Sequence, residues 1–323
     1  MVNTGHEHTT PIQTKLTIVG LGLVGGSLAR LAQQRGVAVT GHAHREQTAA
    51  LARQAGLTAT TSLREALTGA DIVMLAVPLT HMAATAAAVA SHIDVTSDAT
   101  ITDAGSVKAQ IRKAIEAVGL GDRYVGAHPM AGNEHSGFAA STAELMDGAP
   151  WAMTTGPGGD AGLDSRSATT DGPATDVDPD RDDSHTVDAG RFAQVKALIE
   201  GPWRGRVTAL TDADHDAAVA LISHVPHIAA TQLLNAVAAS PLRDVALALA
   251  AGSFRDGTRV AYTDPDRTQA MITDNAAAVA SALRQAAAHY EALATALTQG
   301  DDVHDFFHAA DSLREARTSD GRA

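Results

Sequence analysis

From Lys15 onward the chain alternates short apolar runs with glycine turns and helical stretches. KLTIVG reads as a strand, LGLVGG as a turn and SLARLAQQRG as a helix, and VAVTGH reads as a second strand. Helical runs are predicted over residues 46–55 and near 62–68, before the continuous apolar strand DIVMLAVP. A helix over residues 80–92, the strand ATITDAG, a helix over 107–118 and the run RYVGAHP complete the series. Such alternation predicts a parallel sheet with helices on both faces. RFAQVKALIEG is amphipathic, and GRVTALT reads as a late strand of the same domain. From Asp212 the pattern is helical. In DNAAAVASALRQAAAHYEALATAL the larger apolar positions are Val279, Leu283, Ala286, Tyr290, Leu293 and Leu297. Spacing of three and four gives a seam that packs a long helix against another helix, within the chain or across a subunit interface. The predicted fold class is an α/β domain over residues 15–210 followed by an all-α domain over 211–318, with residues 1–14 a flexible polar tail.

Composition narrows the class. A chain of 323 residues is long enough for two domains. Apolar residues make up 45% and aromatics 3%, so cores are aliphatic and helices pack through small side chains. A formal net charge of -13 argues against a nucleic-acid or anionic-membrane surface, which needs clustered Lys and Arg. There is no cysteine, hence no disulfide, thiolate nucleophile or Cys-ligated zinc. The N-terminal stretch lacks the apolar region of a signal peptide and no run approaches a membrane span, so a soluble cytoplasmic protein is expected. Residues 156–190 stand apart, with nine Asp against two Arg and little apolar periodicity. That composition cannot offset ordering entropy, and a disordered acidic insertion is expected there.

Four stretches carry candidate chemistry. Gly20, Gly22 and Gly25 stand in GxGxxG spacing between a strand and a helix, the context of a Rossmann-like dinucleotide site. The first glycine makes the turn, the second admits a pyrophosphate, and the third lets helix and strand pack closely. An acid is expected about 20 residues on, to bind the ribose 2′-hydroxyl. GHAHRE offers Ala43, His44 and Arg45 instead, which suits a 2′-phosphate, so NADP is favoured over NAD. The cofactor set is Gly20, Gly22, Leu23, Val24, Gly25, His44, Arg45, Val77 and Pro78. In DAGSVK, Asp103, Ser106 and Lys108 fall at the C-terminal edge of the sheet, where ligands of open α/β sheets bind. Ser106 either contacts substrate or caps the next helix. In HDAAVALISHVPHIAA, His215, His224 and His227 share one predicted helix that Pro226 interrupts. Without carboxylate or Cys partners they are not expected to bind metal, and at least one is expected to meet an anionic substrate. In GSFRDGTRVA, a loop between helices, Arg255 or Arg259 could grip a carboxylate or pair with Asp256. Finally, GAHPMAGNEHSGF holds His128 before a proline, which fixes an extended backbone.

Together GLGLVGGSLA, DAGSVK, GAHPMAGNEHSGF, HD…SHVPH and FRDGTRVA resemble the prephenate/arogenate dehydrogenases of tyrosine biosynthesis, over nearly all of residues 15–315. The resemblance implies a Rossmann-like domain followed by a helical domain that forms a homodimer. It implies NAD(P)-dependent oxidative decarboxylation of prephenate to 4-hydroxyphenylpyruvate, or of arogenate to tyrosine. It also implies that His128 is the catalytic histidine and that Ser106 orients the substrate hydroxyl or that histidine. His227 and Arg259 match substrate-binding positions, and Glu134 and Asp256 match positions that frame the pocket. The acidic insertion and the missing acid after the second strand depart from the family pattern. Two other readings are a dinucleotide sensor without turnover, which needs neither His128 nor Arg259, and a β-hydroxyacid dehydrogenase. The second relies on an interdomain lysine, and residues 211–239 contain none.

Overall fold

A computed structural model describes residues 14–94, 97–133, 135–156 and 187–319. Glu134, the first 13 residues and residues 157–186 of the acidic stretch lie outside the described residues. Among those described, the strands β1 (Lys15–Val19), β2 (Ala38–His42), β3 (Thr58–Thr60), β4 (Ile72–Leu75), β5 (Thr100–Asp103), β6 (Tyr124–Pro129), β7 (Pro150–Thr154) and β8 (Arg206–Leu210) form one sheet. Its order is β3-β2-β1-β4-β5-β6-β7-β8. The first six strands are parallel; β7 runs antiparallel to β6, and β8 parallel to β7. Helices α1 (Leu23–Gln34), α2 (Glu46–Gln54), α3 (Leu63–Leu67), α4 (Leu79–His92), α5 (Ala109–Glu116) and α6 (Ala189–Glu200) connect these strands.

The central strands explain the layering. IVML of β4 and TITD of β5 are buried at every position, as expected where helices cover both faces. One core joins Leu16, Ile18, Leu28, Leu31, Met153 and Ile199, and a second joins Val73, Leu75, Val89, Ile101, Ile111 and Ile115. Each fully buried aliphatic side chain contributes about 1.5–3 kcal/mol. Trp151 of β7 stacks on Trp203, ring centroids 5.4 Å apart, and anchors the reversed edge.

Beyond the sheet come α7 (Asp212–Val219), a π-helical turn (Ala220–His224), α8 (Val225–Ala239), α9 (Arg243–Leu249), α10 (Gly252–Thr258), a 3₁₀ turn (Arg259–Tyr262) and α11 (Pro265–Asp274). The described residues up to Asn275 form one compact unit with the sheet. A second unit begins at Ala276 and holds α12 (Ala276–Gln299), α13 (His304–His308) and α14 (Asp311–Ser319). On α12 the apolar seam is buried at Val279 but exposed at Tyr290 and Leu297, which are 64% and 61% accessible.

Several expectations need correction. Residues 187–190 belong to the fold: Asp188 caps α6, its carboxylate accepting from Arg191 N at 2.9 Å. GSFRDGT is helix α10 rather than loop, because packing against α8 overrides two glycines of poor helix propensity. The run Asp212–Ala239 is long and apolar enough to cross a membrane, with mean hydropathy 1.4. Its polar positions are nevertheless spent on the sheet unit: Asp212 pairs with Arg112, and Asp216 binds the first amides of α5.

Candidate active site

The β1–α1 turn lies where strand order reverses between β1 and β4, the crevice in which such sheets bind ligands. Gly20 has φ +106°, and a Cβ there would come within 2.6 Å of the Ala76 carbonyl oxygen and 2.8 Å of Val77. At Gly25 a Cβ would lie 1.9 Å from the carbonyl oxygen of Gly20. Gly22 differs, since a Cβ there would meet nothing within 4 Å. The N-terminus of α1 therefore opens on free space, with no side chain capping it and no acid in its first turn. Unsatisfied amides and the helix dipole facing an open cradle fit a dinucleotide pyrophosphate. Leu23 is buried under the turn and Val24 packs on the core beside it. Pro78 begins α4 on the facing side. After β2, Ala43 is buried and bonded to Thr60 O, while His44 and Arg45 are exposed.

A second cluster gathers around the end of β6. His128 Nδ1 lies 3.0 Å from His215 Nε2, and His215 Nδ1 lies 2.8 Å from Asp216 Oδ1. The carboxylate only accepts, so His215 donates from Nδ1, and its Nε2 lone pair accepts from His128 Nδ1–H. His128 Nε2 is then left with a lone pair. Asp216 also accepts from Lys108 N at 2.8 Å and Ala109 N at 3.0 Å. Burial pushes the Asp216 carboxyl up, but these three bonds outweigh it and hold the pKa below its usual value. His128 is held well below 6.5, by burial first, then by the Lys108 charge and by His215 and His224.

Two further histidines, His224 and His227, lie near this chain. His224 is fully buried; its Nδ1 lies 3.1 Å from Asn275 Nδ2, which also donates to Asp216 O at 2.7 Å, and its Nε2 has no partner. Burial lowers its pKa to about 4 against the pull of Asp216. Half-buried His227 donates from Nδ1 to Val260 O at 3.0 Å, which sets it beside the 3₁₀ turn that Arg259 opens. Burial lowers its pKa, the Val260 bond opposes this, and Arg267 and Arg259 lower it further.

Profiles of two domains match the chain: the nucleotide-binding domain of prephenate dehydrogenase over residues 28–162 and its dimerization domain over residues 211–310. The cyclohexadienyl dehydrogenase of Zymomonas mobilis is 31% identical over 316 residues, covering 94% of this chain and 96% of that one. The chain belongs to the prephenate dehydrogenase family. Synechocystis arogenate dehydrogenase matches with TM-score 0.75 and 27% identity, over 94% of this chain and 99% of that one. Prephenate dehydrogenase from A. aeolicus, solved with hydroxyphenyl propionate and NAD+, matches with TM-score 0.75 and 25% identity, over 95% and 98% of the two chains.

Against this prephenate dehydrogenase framework the candidate residues divide. His128, His215 and His224 cluster around Asp216, and His227 adjoins Arg259. Asp256 turns outward into a surface pair with Arg255, Nε to Oδ1 3.1 Å, so the arginine that meets Asp256 is not Arg259. Ser106, half-buried after β5, does not cap α5; Asp216 does that from α7. Sequence reasoning gave His215 no specific role and missed Asp216 and Asn275. The HD dipeptide was the available signal, since an acid next to a histidine is the usual means of fixing its tautomer. Arg267, a second cation near His227, had no signal at all.

Proposed function

We propose that this dehydrogenase oxidatively decarboxylates prephenate to 4-hydroxyphenylpyruvate, using NADP in preference to NAD. The observation that carries the reading is the hydrogen-bonded chain Asp216–His215–His128, which leaves a lone pair on His128 Nε2. The bound nicotinamide supplies the hydride acceptor. His128 Nε2 accepts a hydrogen bond from the ring hydroxyl and draws off its proton as the carbonyl forms. CO2 leaves as the ring becomes aromatic, so product stability drives the step. The Asp216–His215 chain stabilises the imidazolium formed on His128, which returns its proton to the ring oxygen as loss of CO2 makes that oxygen phenolic. Ser106 orients the hydroxyl, and Arg259 holds a carboxylate with His227 beside it. Gly20, Gly22, Leu23, Val24, Gly25, Val77 and Pro78 hold the dinucleotide, and His44 and Arg45 meet its 2′-phosphate.

We divide the roles between residues 15–210, which carry the cofactor, and 211–318, which carry substrate contacts and the subunit interface. The dimerization-domain match and the exposed α12 residues Tyr290 and Leu297 support a homodimer. Arogenate is the second substrate reading, supported by the likeness to the Synechocystis arogenate dehydrogenase.

The test is a spectrophotometric assay of the purified protein with prephenate and arogenate, each with NAD and NADP. Prephenate with NADP should give the highest kcat/KM. His128→Asn should retain the fold and cofactor binding yet lose at least about a hundredfold in kcat, as expected when a base is removed. Near-normal turnover in that variant would sink the mechanism.

A further inference from the structure

Lys108 was expected near a ligand, yet neither it nor Asp103 exposes any side-chain surface. What they touch is backbone. Strand β5 pairs with β6 at Ile101↔Tyr124 and Thr102↔Val125, and then turns away after Asp103. The next inward-facing peptide group on β6 belongs to Ala127. Its N–H donates to Asp103 Oδ1 at 3.2 Å, and its carbonyl accepts from Lys108 Nζ at 2.6 Å. The two side chains thus continue the ladder where the strand has ended. Asp103 is fully engaged: Oδ1 also accepts from the Tyr124 hydroxyl at 2.8 Å, and Oδ2 from Gly105 N at 2.8 Å and from Lys108 Nζ. Above the lysine stem lies Gly126, where a Cβ would come within 3.2 Å of Lys108 Cδ. The lysine therefore has no freedom to reach a substrate. It does grip the carbonyl of the peptide bond that joins Ala127 to His128.

We propose that Lys108, clamped by Asp103, is a positioning residue that fixes the Ala127–His128 peptide and biases His128 toward its neutral, proton-accepting form. The assignment rests on the reading of His128 as the base. The charges around His128 come from three directions: Asp103 and Lys108 from β5 and the start of α5, His215 and Asp216 from α7, and His224 from the π turn. Arg112 and Asp212 pair with each other on the α5–α7 side. Burial is the largest influence that lowers the His128 pKa and the Lys108 cation is the next. Burial lowers the Lys108 pKa as well, against the raising pull of Asp103, and the ammonium held in that ion pair disfavours a second cation beside it.

The test is log(kcat/KM) against pH for wild type, Lys108→Arg, Lys108→Met and the double variant Asp103→Asn/Lys108→Met. The double variant avoids leaving a buried carboxylate unpaired. Turnover in the wild type should persist well below pH 6.5. In Lys108→Met the acid limb should move up toward the ordinary imidazole value, and in the double variant, which also removes the Asp103 carboxylate, it should move up by less, while Lys108→Arg keeps it in place. A merely structural lysine would lower kcat without moving the limb, and that outcome overturns the proposal. So does failure of both Met-containing variants to fold, which would make the pair a core element and nothing more. If His128→Asn retains turnover, the underlying reading fails instead; an unmoved limb with an inactive His128→Asn sinks only the role of Lys108.

Discussion

Acid should weaken this fold through one identifiable imidazole. His224 is fully buried and neutral, its Nδ1 facing Asn275 and its Nε2 without a partner. Its pKa falls from 6.5 to about 4 in the folded chain. The unfolded chain takes up a proton there below pH 6.5, whereas the folded chain resists until about pH 4. The contribution is therefore whole above 6.5, shrinks as pH falls, and is lost by about 4. At about 1.4 kcal/mol per decade of proton concentration, the full loss is about 3 kcal/mol, with about 2 kcal/mol gone by pH 5. His224→Asn keeps a polar group near the position of Nδ1 and does not titrate in this range. Urea denaturation at pH 7 and pH 5 should show the wild type losing about 2 kcal/mol more than the variant. The other depressed histidines are present in both proteins and cancel. Equal losses in the two proteins would refute the assignment of this acid sensitivity to His224.

Gly22→Ala should leave thermal stability nearly unchanged, because a Cβ there meets nothing, yet it should weaken dinucleotide binding measured by fluorescence titration. Gly25→Ala should destabilise the fold outright, since its Cβ would collide with the carbonyl of Gly20; equal melting temperatures for the two variants would contradict this. Ala43→Asp combined with Arg45→Ala should reverse the cofactor preference from NADP to NAD in kcat/KM. Arg259→Gln should raise KM by roughly ten- to a hundredfold with a smaller change in kcat, as loss of a charge-assisted carboxylate contact does, and an unchanged KM would mark the arginine as structural.

Where local pattern and tertiary structure agreed, the sequence was legible. The glycine turn, the apolar runs of β4 and β5 and the strand leading to His128 could all be read, because each couples a periodic signal to a turn residue with one use. Strand β3 is three residues long, too short for any period, and β7 opens with Pro150, which reads as loop. Helix α10 was hidden by Gly252 and Gly257. In the site, the histidines were visible as a set, but their order was not. Which imidazole faces which carboxylate depends on α7 lying against the start of α5, and no spacing within one segment encodes that contact. The same holds for Lys108: its chemistry suggested a ligand, and only its burial revealed a backbone partner.

The π turn at Ala220–His224 has a consequence for how this site tolerates change. A π turn arises when a helix accommodates one residue more than its α register allows. Each residue of an α-helix advances the azimuth by about 100°. Removing one residue between Ala220 and His224 would leave a helix with much the same composition and length. Everything after the cut would be out of phase, carrying His227 away from the Val260 carbonyl while His215 stayed with Asp216. Pro226 sets the locale of the defect, since it has no N–H to return to the carbonyl of Ile222. The extra residue acts as a phase shifter that couples the orientation of His227 to that of the His215–Asp216 pair.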